Sequence, residues 1–357
     1  MRCIALLALA IFFCLPTANA QATDSYKSNP QFLKAIAEAK QLNRQHQYFF
    51  AIDAYKKANK IAEGKDTGCL DEIFTIQMTI GRYKDAASTA SALVAIATNP
   101  TQKSIAEGNQ GFALFEQAGE KGKPDLLKAA DESFKAAIAD NSKNAMAHFY
   151  EGKTMARLGQ IDAASDQFKA CVSCLSPKDP GYVRAQHFAA NPSLSLAKMA
   201  PPVSVTALDG SHFNLDEMGG RVVLIDFWAT WCGPCKEELP HMKKIAKEFA
   251  NDPLVIISVS WDSDEAKWKD FIAKNEMTWV QYRDADHSLS NAFAINAIPH
   301  YFTIDSDGVL TAEMLGEGSD VEGKLKKLIA KAKAASTQPA TKSTAGAKAA
   351  TLEPTGN

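Results

Sequence analysis

This 357-residue sequence has no excess of either charge: 39 Lys and Arg stand against 41 Asp and Glu, a formal net charge of −2. So balanced a chain has no field to hold nucleic acid or an anionic membrane surface, and bulk electrostatics does not choose its partner. Apolar runs of membrane-spanning length are also missing; the longest, Ile4 to Leu15, is too short to cross a bilayer as a helix. Cysteine is sparse at seven residues, and zinc at Cys171-Val-Ser-Cys174 would need two more ligands, for which no His pair with metal spacing follows. Neither a metal nor a cofactor is therefore expected. What remains is ordinary globular material, 46% hydrophobic and 22% charged, long enough for two domains.

Residues 1–20 read as a leader rather than as fold. Arg2 supplies a positive n-region, Ile4 to Leu15 the apolar stretch, and Pro16-Thr-Ala18-Asn-Ala20 the small residues of a cleavage site after Ala20. Ile11-Phe12-Phe13 ahead of Cys14 is too bulky for a lipoprotein signal. The mature chain is therefore expected to be exported, periplasmic or secreted, and soluble. Cleavage removes Cys3 and Cys14 and leaves Cys69, Cys171, Cys174, Cys232 and Cys235. An exported compartment is oxidising, so any working dithiol there is either kept oxidised or re-reduced.

Residues 21–30 read as a linker. From 31 to 190 strand signal is almost absent, and apolar residues recur with a helical period, as in Leu127, Ala130, Phe134, Ala137 and Ile138. Ile80-Gly-Arg-Tyr-Lys-Asp-Ala-Ala87 resembles Leu158-Gly-Gln-Ile-Asp-Ala-Ala164, and Ala130-x-x-x-Phe134-x-x-Ala137 matches Ala164-x-x-x-Phe168-x-x-Cys171. Helices are expected to end near Asn99-Pro100, Asn141-Ser142 and Ser176-Pro177. The spacing fits a repeat of about 34 residues with an insertion near Gly119–Pro124. This region resembles three or four degenerate tetratricopeptide repeats. The resemblance implies a concave surface for a protein or peptide; a purely structural helical domain is the alternative.

Residues 191–201 read as a second linker, and from 202 to 335 the texture alternates between strand and helix. Strands are expected at 203–208, 221–227, 254–260, 279–282, 300–304 and 309–315, the last two joined by Asp305-Ser-Asp-Gly308. Helices are expected at 236–249, with a kink at Pro240, at 264–275 and from about 319 to 334. Residues 336–357 lack aromatics and read as a disordered tail.

In Val222-Val-Leu-Ile-Asp-Phe-Trp-Ala-Thr-Trp-Cys-Gly-Pro-Cys-Lys236 an apolar strand gives way to a helix at Cys232-Gly233-Pro234-Cys235. Unpaired N–H groups and partial positive charge at that helix end stabilise a thiolate, which makes the pair a dithiol redox centre. Cys171-Val-Ser-Cys174 has the same spacing at the opposite, C-terminal end of a helix, where the dipole disfavours a thiolate. A structural disulfide or buried thiols fit that pair better, and Cys69 is left to join one of them or stay free.

From about Ala200 to Ala334 the sequence resembles the exported TlpA/ResA-like redoxins. The resemblance rests on Ala200-Pro-Pro, Asp226-Phe-Trp-Ala-Thr-Trp231, Cys232-Gly-Pro-Cys235, Glu237-Glu-Leu-Pro240 and Ala297-Ile-Pro299 before a hairpin. It implies an α/β thioredoxin fold following the all-α repeat domain, and a thiol–disulfide oxidoreductase that reduces disulfides in other proteins. By that resemblance Cys232 attacks, Cys235 resolves, and the buried acid Asp226 takes the Cys235 proton through water. Trp231, Gly233, Pro234, Ile298 and a cis Pro299 bound the substrate groove, while Trp228 belongs to the core. His300 stands where many relatives carry Thr or Ser and is either a candidate for tuning the Cys232 thiol or an exposed or core histidine. The strand 254–260 lacks the buried lysine of thioredoxins, leaving proton transfer to Asp226 and water. The implied partners are disulfide-containing exported proteins, a membrane thiol donor of electrons, and a protein or peptide at the repeats. Two other readings stand beside this one. The first is a repeat-based scaffold with a secondary redox domain. The second is a thiol peroxidase, which needs Pro-x-x-x-Thr-x-x-Cys but finds Ile225 at the proline position.

Overall fold

The computed structural model describes residues 24–179 and 181–337. The leader expected at 1–20 and all but the first two residues of the tail expected at 336–357 lie outside them. The N-terminal part is helical. Its helices are α1 (Pro30–Arg44), α2 (Tyr48–Ile61), α3 (Thr67–Thr79), α4 (Tyr83–Ile96), α5 (Pro100–Ala118), α6 (Pro124–Asp140), α7 (Ala145–Arg157), α8 (Ile161–Cys174) and α9 (Tyr182–Ala190). Each packs on the next, so α1/α2, α3/α4, α5/α6 and α7/α8 form stacked pairs.

The second helix of each pair carries the same buried triplet at i, i+4 and i+7. The triplets are Ala51, Tyr55, Ala58; Ala86, Ala90, Leu93; Ala130, Phe134, Ala137; and Ala164, Phe168, Cys171. Small residues let the first helix approach, and in α2, α6 and α8 the large central one fills the space between. A Cβ on Gly111 of α5 would come within 2.7 Å of the Phe134 ring, and one on Gly152 of α7 within 2.8 Å of Phe168. The sequence comparison shows only the last two triplets; in α4 Ala90 replaces the aromatic.

α4 ends at Ile96, just short of Asn99-Pro100 as expected, and that dipeptide also opens α5: the Asn99 side chain accepts from Gln102 N at 2.9 Å, and Pro100 occupies the first turn. There its missing N–H costs nothing. Asn29-Pro30 begins α1 in the same way. The segment read as a linker before it holds a short 3-10 helix, Asp24–Ser28. Tyr26 packs edge-on against Phe32 and donates to Asp66 at 2.9 Å, so the segment caps the helical stack.

The C-terminal part begins with a small hairpin, β1 (Ser204–Thr206) and β2 (His212–Asn214). Then follow β3 (Val222–Trp228), α10 (Gly233–Glu248), β4 (Leu254–Ser260), α11 (Glu265–Lys274), β5 (Val280–Arg283), α12 (Ser288–Ala292), β6 (His300–Ile304), β7 (Leu310–Leu315) and α13 (Val321–Thr337). The main sheet has the order β5-β4-β3-β6-β7, parallel from β3 to β5 and antiparallel at β6 and β7. Central β3 is buried along its whole length. Alternation sends Val223, Ile225 and Phe227 into one core with Phe293 and Phe302. It sends Val222 and Leu224 into another with Met242, Ile245 and Leu325. The sequence reading lacks β2 and α12, which are too short to show a period.

The second expected linker, 191–201, is a joint. Pro192–Leu196 forms a 3-10 helix with Pro192 and Ser195 buried. Lys198 O accepts from Leu310 N at 2.8 Å and Ala200 N donates to Gly308 O at 3.0 Å, fastening the segment to the β6–β7 hairpin. Beside it, Arg184 of α9 donates to Asp216 Oδ1 from Nε at 2.9 Å and from Nη2 at 2.7 Å, both side chains buried. The joint lies at the Val222 end of β3, next to Arg221 and the Asp305–Gly308 turn. The other end of that strand, at Trp228, is on the order of 20 Å away for a strand of this length.

Candidate active site

β3 delivers the chain to the site. Past Trp228 it makes a turn in which Thr230 N donates to Asp262 Oδ2 at 2.9 Å, and Asp262 also accepts from Ser260 Oγ at 2.7 Å. Cys232 is then the N-cap of α10, with Sγ accepting from Cys235 N at 3.2 Å. Its sulfur therefore sits where the unpaired N–H groups of the first turn concentrate positive potential. Pro234 fits that first turn for the same reason as the other N-terminal prolines. Cys232 and Cys235 are joined as a disulfide and each is 6% exposed.

Around the pair the surface is open on one side. A Cβ on Gly233 would meet no atom within 4 Å. Trp231 is 62% exposed, whereas Trp228 is buried in the cluster with Trp268 and Cys235. The Ile298–Pro299 bond is cis. Ile298 O stands 3.9 Å from Cys232 Sγ, and Pro299 O accepts from Gly316 N at 3.0 Å. Trp231, Gly233, Pro234, Ile298 and Pro299 are thus gathered around one sulfur, although 66 residues separate Cys232 from Ile298.

Asp226 lies beneath Cys235. The two line, with Lys236, Trp279 and Tyr301, an internal cavity of about 10 Å³. That is room for about one water, which needs polar partners such as a carboxyl and a thiol. Burial pushes the Asp226 carboxyl up to about 7; the hydrogen bond from Ser258 opposes this and the charge of Glu238 adds to it. Ser258 stands directly opposite Asp226 in the β3–β4 register and donates to Oδ2 at 2.9 Å, while Trp279 Nε1 donates to Ser258 Oγ at 2.8 Å. Ser258, Trp279 and Asp262 escaped the sequence reading. For Ser258 the available signal was a hydroxyl inside the β-branched run Leu254-Val-Ile-Ile-Ser-Val-Ser260.

His300 does not reach the thiols. Register pairs it with Phe227, and Tyr301 with Asp226, so the pleat turns His300 to the face of the sheet opposite the acid. Its ring stacks on Phe302 at 4.9 Å and its Nε2 meets Glu313 at 3.1 Å. Of the two readings of His300 the core histidine therefore holds, in the β6–β7 packing, and the tuning of Cys232 does not. Among the described residues the other cysteines, Cys69, Cys171 and Cys174, are free thiols. Burial raises the first two, Cys171 to about 12, so neither yields a thiolate at neutral pH.

The redoxin family profile matches residues 196–329. The chain is 29% identical over 143 residues to a thiol-disulfide oxidoreductase ResA of Bacillus cereus (strain ZK / E33L), covering 40% of this chain and 83% of that protein. It is 32% identical over 116 residues to the thioredoxin-like protein YneN of Bacillus subtilis (strain 168), covering 32% of this chain and 67% of that one. A solved thioredoxin domain of a thiol-disulfide oxidoreductase from Bacteroides vulgatus is 28% identical, covering 37% of this chain and 96% of that chain at a TM-score of 0.35. With a disulfide-forming pair at the helix end, a cis proline against it and an acid beneath it, the chain belongs to the redoxin family and is a thiol–disulfide oxidoreductase.

Proposed function

We propose that the protein runs as a reductase of disulfides in exported partner proteins, with the helical domain holding the partner. The observation that carries the direction is Asp226 under Cys235 across a cavity for one water. Reduction of a substrate begins when the Cys232 thiolate attacks one substrate sulfur; the substrate S–S bond breaks and its other sulfur leaves as thiolate. The Cys235 thiol then gives its proton, through water, to the Asp226 carboxylate and attacks Cys232 Sγ. The second substrate sulfur leaves, two electrons have passed to the substrate, and the enzyme holds the Cys232–Cys235 disulfide. An acid titrating near 7 is matched to that proton transfer in neutral surroundings.

Trp231 and the backbone of Ile298 receive an extended substrate segment on either side of the sulfur. The helical domain is of tetratricopeptide type; its stacked pairs support a protein or peptide ligand. Because the joint lies at the far end of β3, a partner held there presents its disulfide on a segment that reaches around the sheet. The N-terminal leader directs export with cleavage after Ala20, and a membrane thiol protein returns the enzyme to its dithiol form. In the test, the reduced full-length protein precipitates insulin by cleaving its disulfides, and Cys232→Ser abolishes this. Equal rates for the two proteins would remove the reading.

A further inference from the structure

Among the polar groups of the sheet, Ser258 is placed for a task of its own. It is fully buried, one strand from Asp226, and its hydroxyl stands between two partners. The indole N–H of Trp279 can only donate, so at 2.8 Å it takes a lone pair of Ser258 Oγ. The single hydroxyl proton is then left for Asp226 Oδ2 at 2.9 Å. The chain of donors runs one way, from Trp279 through Ser258 to the acid. An oxygen already accepting that proton is a poor place for another.

We propose that Ser258, oriented by Trp279, is a positioning residue that commits Oδ2 of Asp226 as an acceptor, so that the acid exchanges its proton with Cys235 through Oδ1 alone. The proposal rests on the reading of Asp226 as the proton acceptor for Cys235. A hydrogen bond to the charged form favours that form, so Ser258 offsets part of the burial. The other ionisable groups facing Asp226 are Lys236 and Glu238 on α10, Cys235 itself and Tyr301 on β6; α11 contributes the uncharged Phe271.

The test follows an aromatic disulfide probe whose two thiolates absorb on release, mixed with the reduced full-length protein. The first thiolate reports Cys232 and the second reports attack by Cys235. The pH midpoint of the second phase is measured from about pH 5 to about pH 9. Ser258→Ala should move it upward by about one unit, a tenfold change in the ionisation constant of the acid. Ser258→Thr, which keeps the hydroxyl, should restore it, and Trp279→Phe should move it in the same direction by less. Asp226→Asn should remove the titration from the second phase. If it does so while Ser258→Ala and Trp279→Phe keep the wild-type midpoint, the proposal for Ser258 falls and the acid reading stands. If Asp226→Asn keeps the wild-type profile, the acid reading falls with it. Should Ser258→Ala not fold, Trp279→Phe and Ser258→Thr decide the matter alone.

Discussion

Arg184 and Asp216 form a buried ion pair, 2.7 Å from Nη2 to Oδ1, that ties α9 of the helical domain to the thioredoxin-like domain. A second Nη2 bond, to Ala200 O at 3.1 Å, reaches the segment between them. The pair lies at the opposite end of β3 from the dithiol, so the helical domain is fastened away from Cys232.

Breaking that pair from one side should be costly. Arg184→Ala leaves Asp216 buried without a partner, and such losses run to about 3–5 kcal/mol. We expect calorimetry to show the helical domain melting earlier and separately, with insulin reduction at low temperature little changed. The double change Arg184→Met with Asp216→Leu should recover most of the loss, since two apolar groups leave no orphan charge. A single unaltered transition in Arg184→Ala would show that the joint does not depend on this pair.

Asp226 makes stability depend on pH with a definite sign. Its folded carboxyl titrates at about 7 against an ordinary value of 3.8, so the folded state binds the proton more tightly. That contribution is fully present below the unfolded value and is lost as pH rises through about 7. Asp226→Asn should therefore be the more stable protein at alkaline pH, by up to about 4 kcal/mol. Urea unfolding at acid and alkaline pH checks this: a wild-type curve as flat as that of the variant would mean that Asp226 is solvated.

The resolving thiol should be separable from the attacking one. With Cys235→Ala in the native compartment, mixed disulfides on Cys232 should accumulate and carry partner proteins with them. Cys232→Ala should trap none. Failure to capture any protein with Cys232 confirmed reduced would favour a scaffold role for the helical domain.

Gly152→Ala tests the packing of the helix pairs. In an exposed helix the change would stabilise by about 1 kcal/mol. Here the new methyl would stand 2.8 Å from the Phe168 ring. Overpacking of that kind costs roughly 1–3 kcal/mol, so the clash decides the sign. Thermal denaturation should show Gly152→Ala melting lower and Gly152→Ala with Phe168→Leu recovering part of the difference.

Much of the site was legible along the chain because its chemistry is local. Cys232 and Cys235 sit at a strand-to-helix junction, and both the apolar run before them and the helical pattern after them are written in consecutive residues. The same holds for the triplets Ala130–Ala137 and Ala164–Cys171, which mark buried helix faces by spacing alone. The contrast with Cys171 and Cys174 was equally local, since a helix end has a sign.

What the linear chain could not determine is which side a residue faces and what it meets. His300 follows Pro299 directly, yet the pleat of β6 carries it to Phe302 and Glu313, away from the acid. Ser258 is one serine in a β-branched strand until the parallel register sets it opposite Asp226. Residues 191–201 have the composition of a linker, but Lys198 and Ala200 pair with the β6–β7 hairpin. Sequence patterns fix periodicity and helix polarity, because those follow from neighbouring residues. Register across strands, and the burial of charges such as Arg184 and Asp216, arise only when segments distant in sequence pack together.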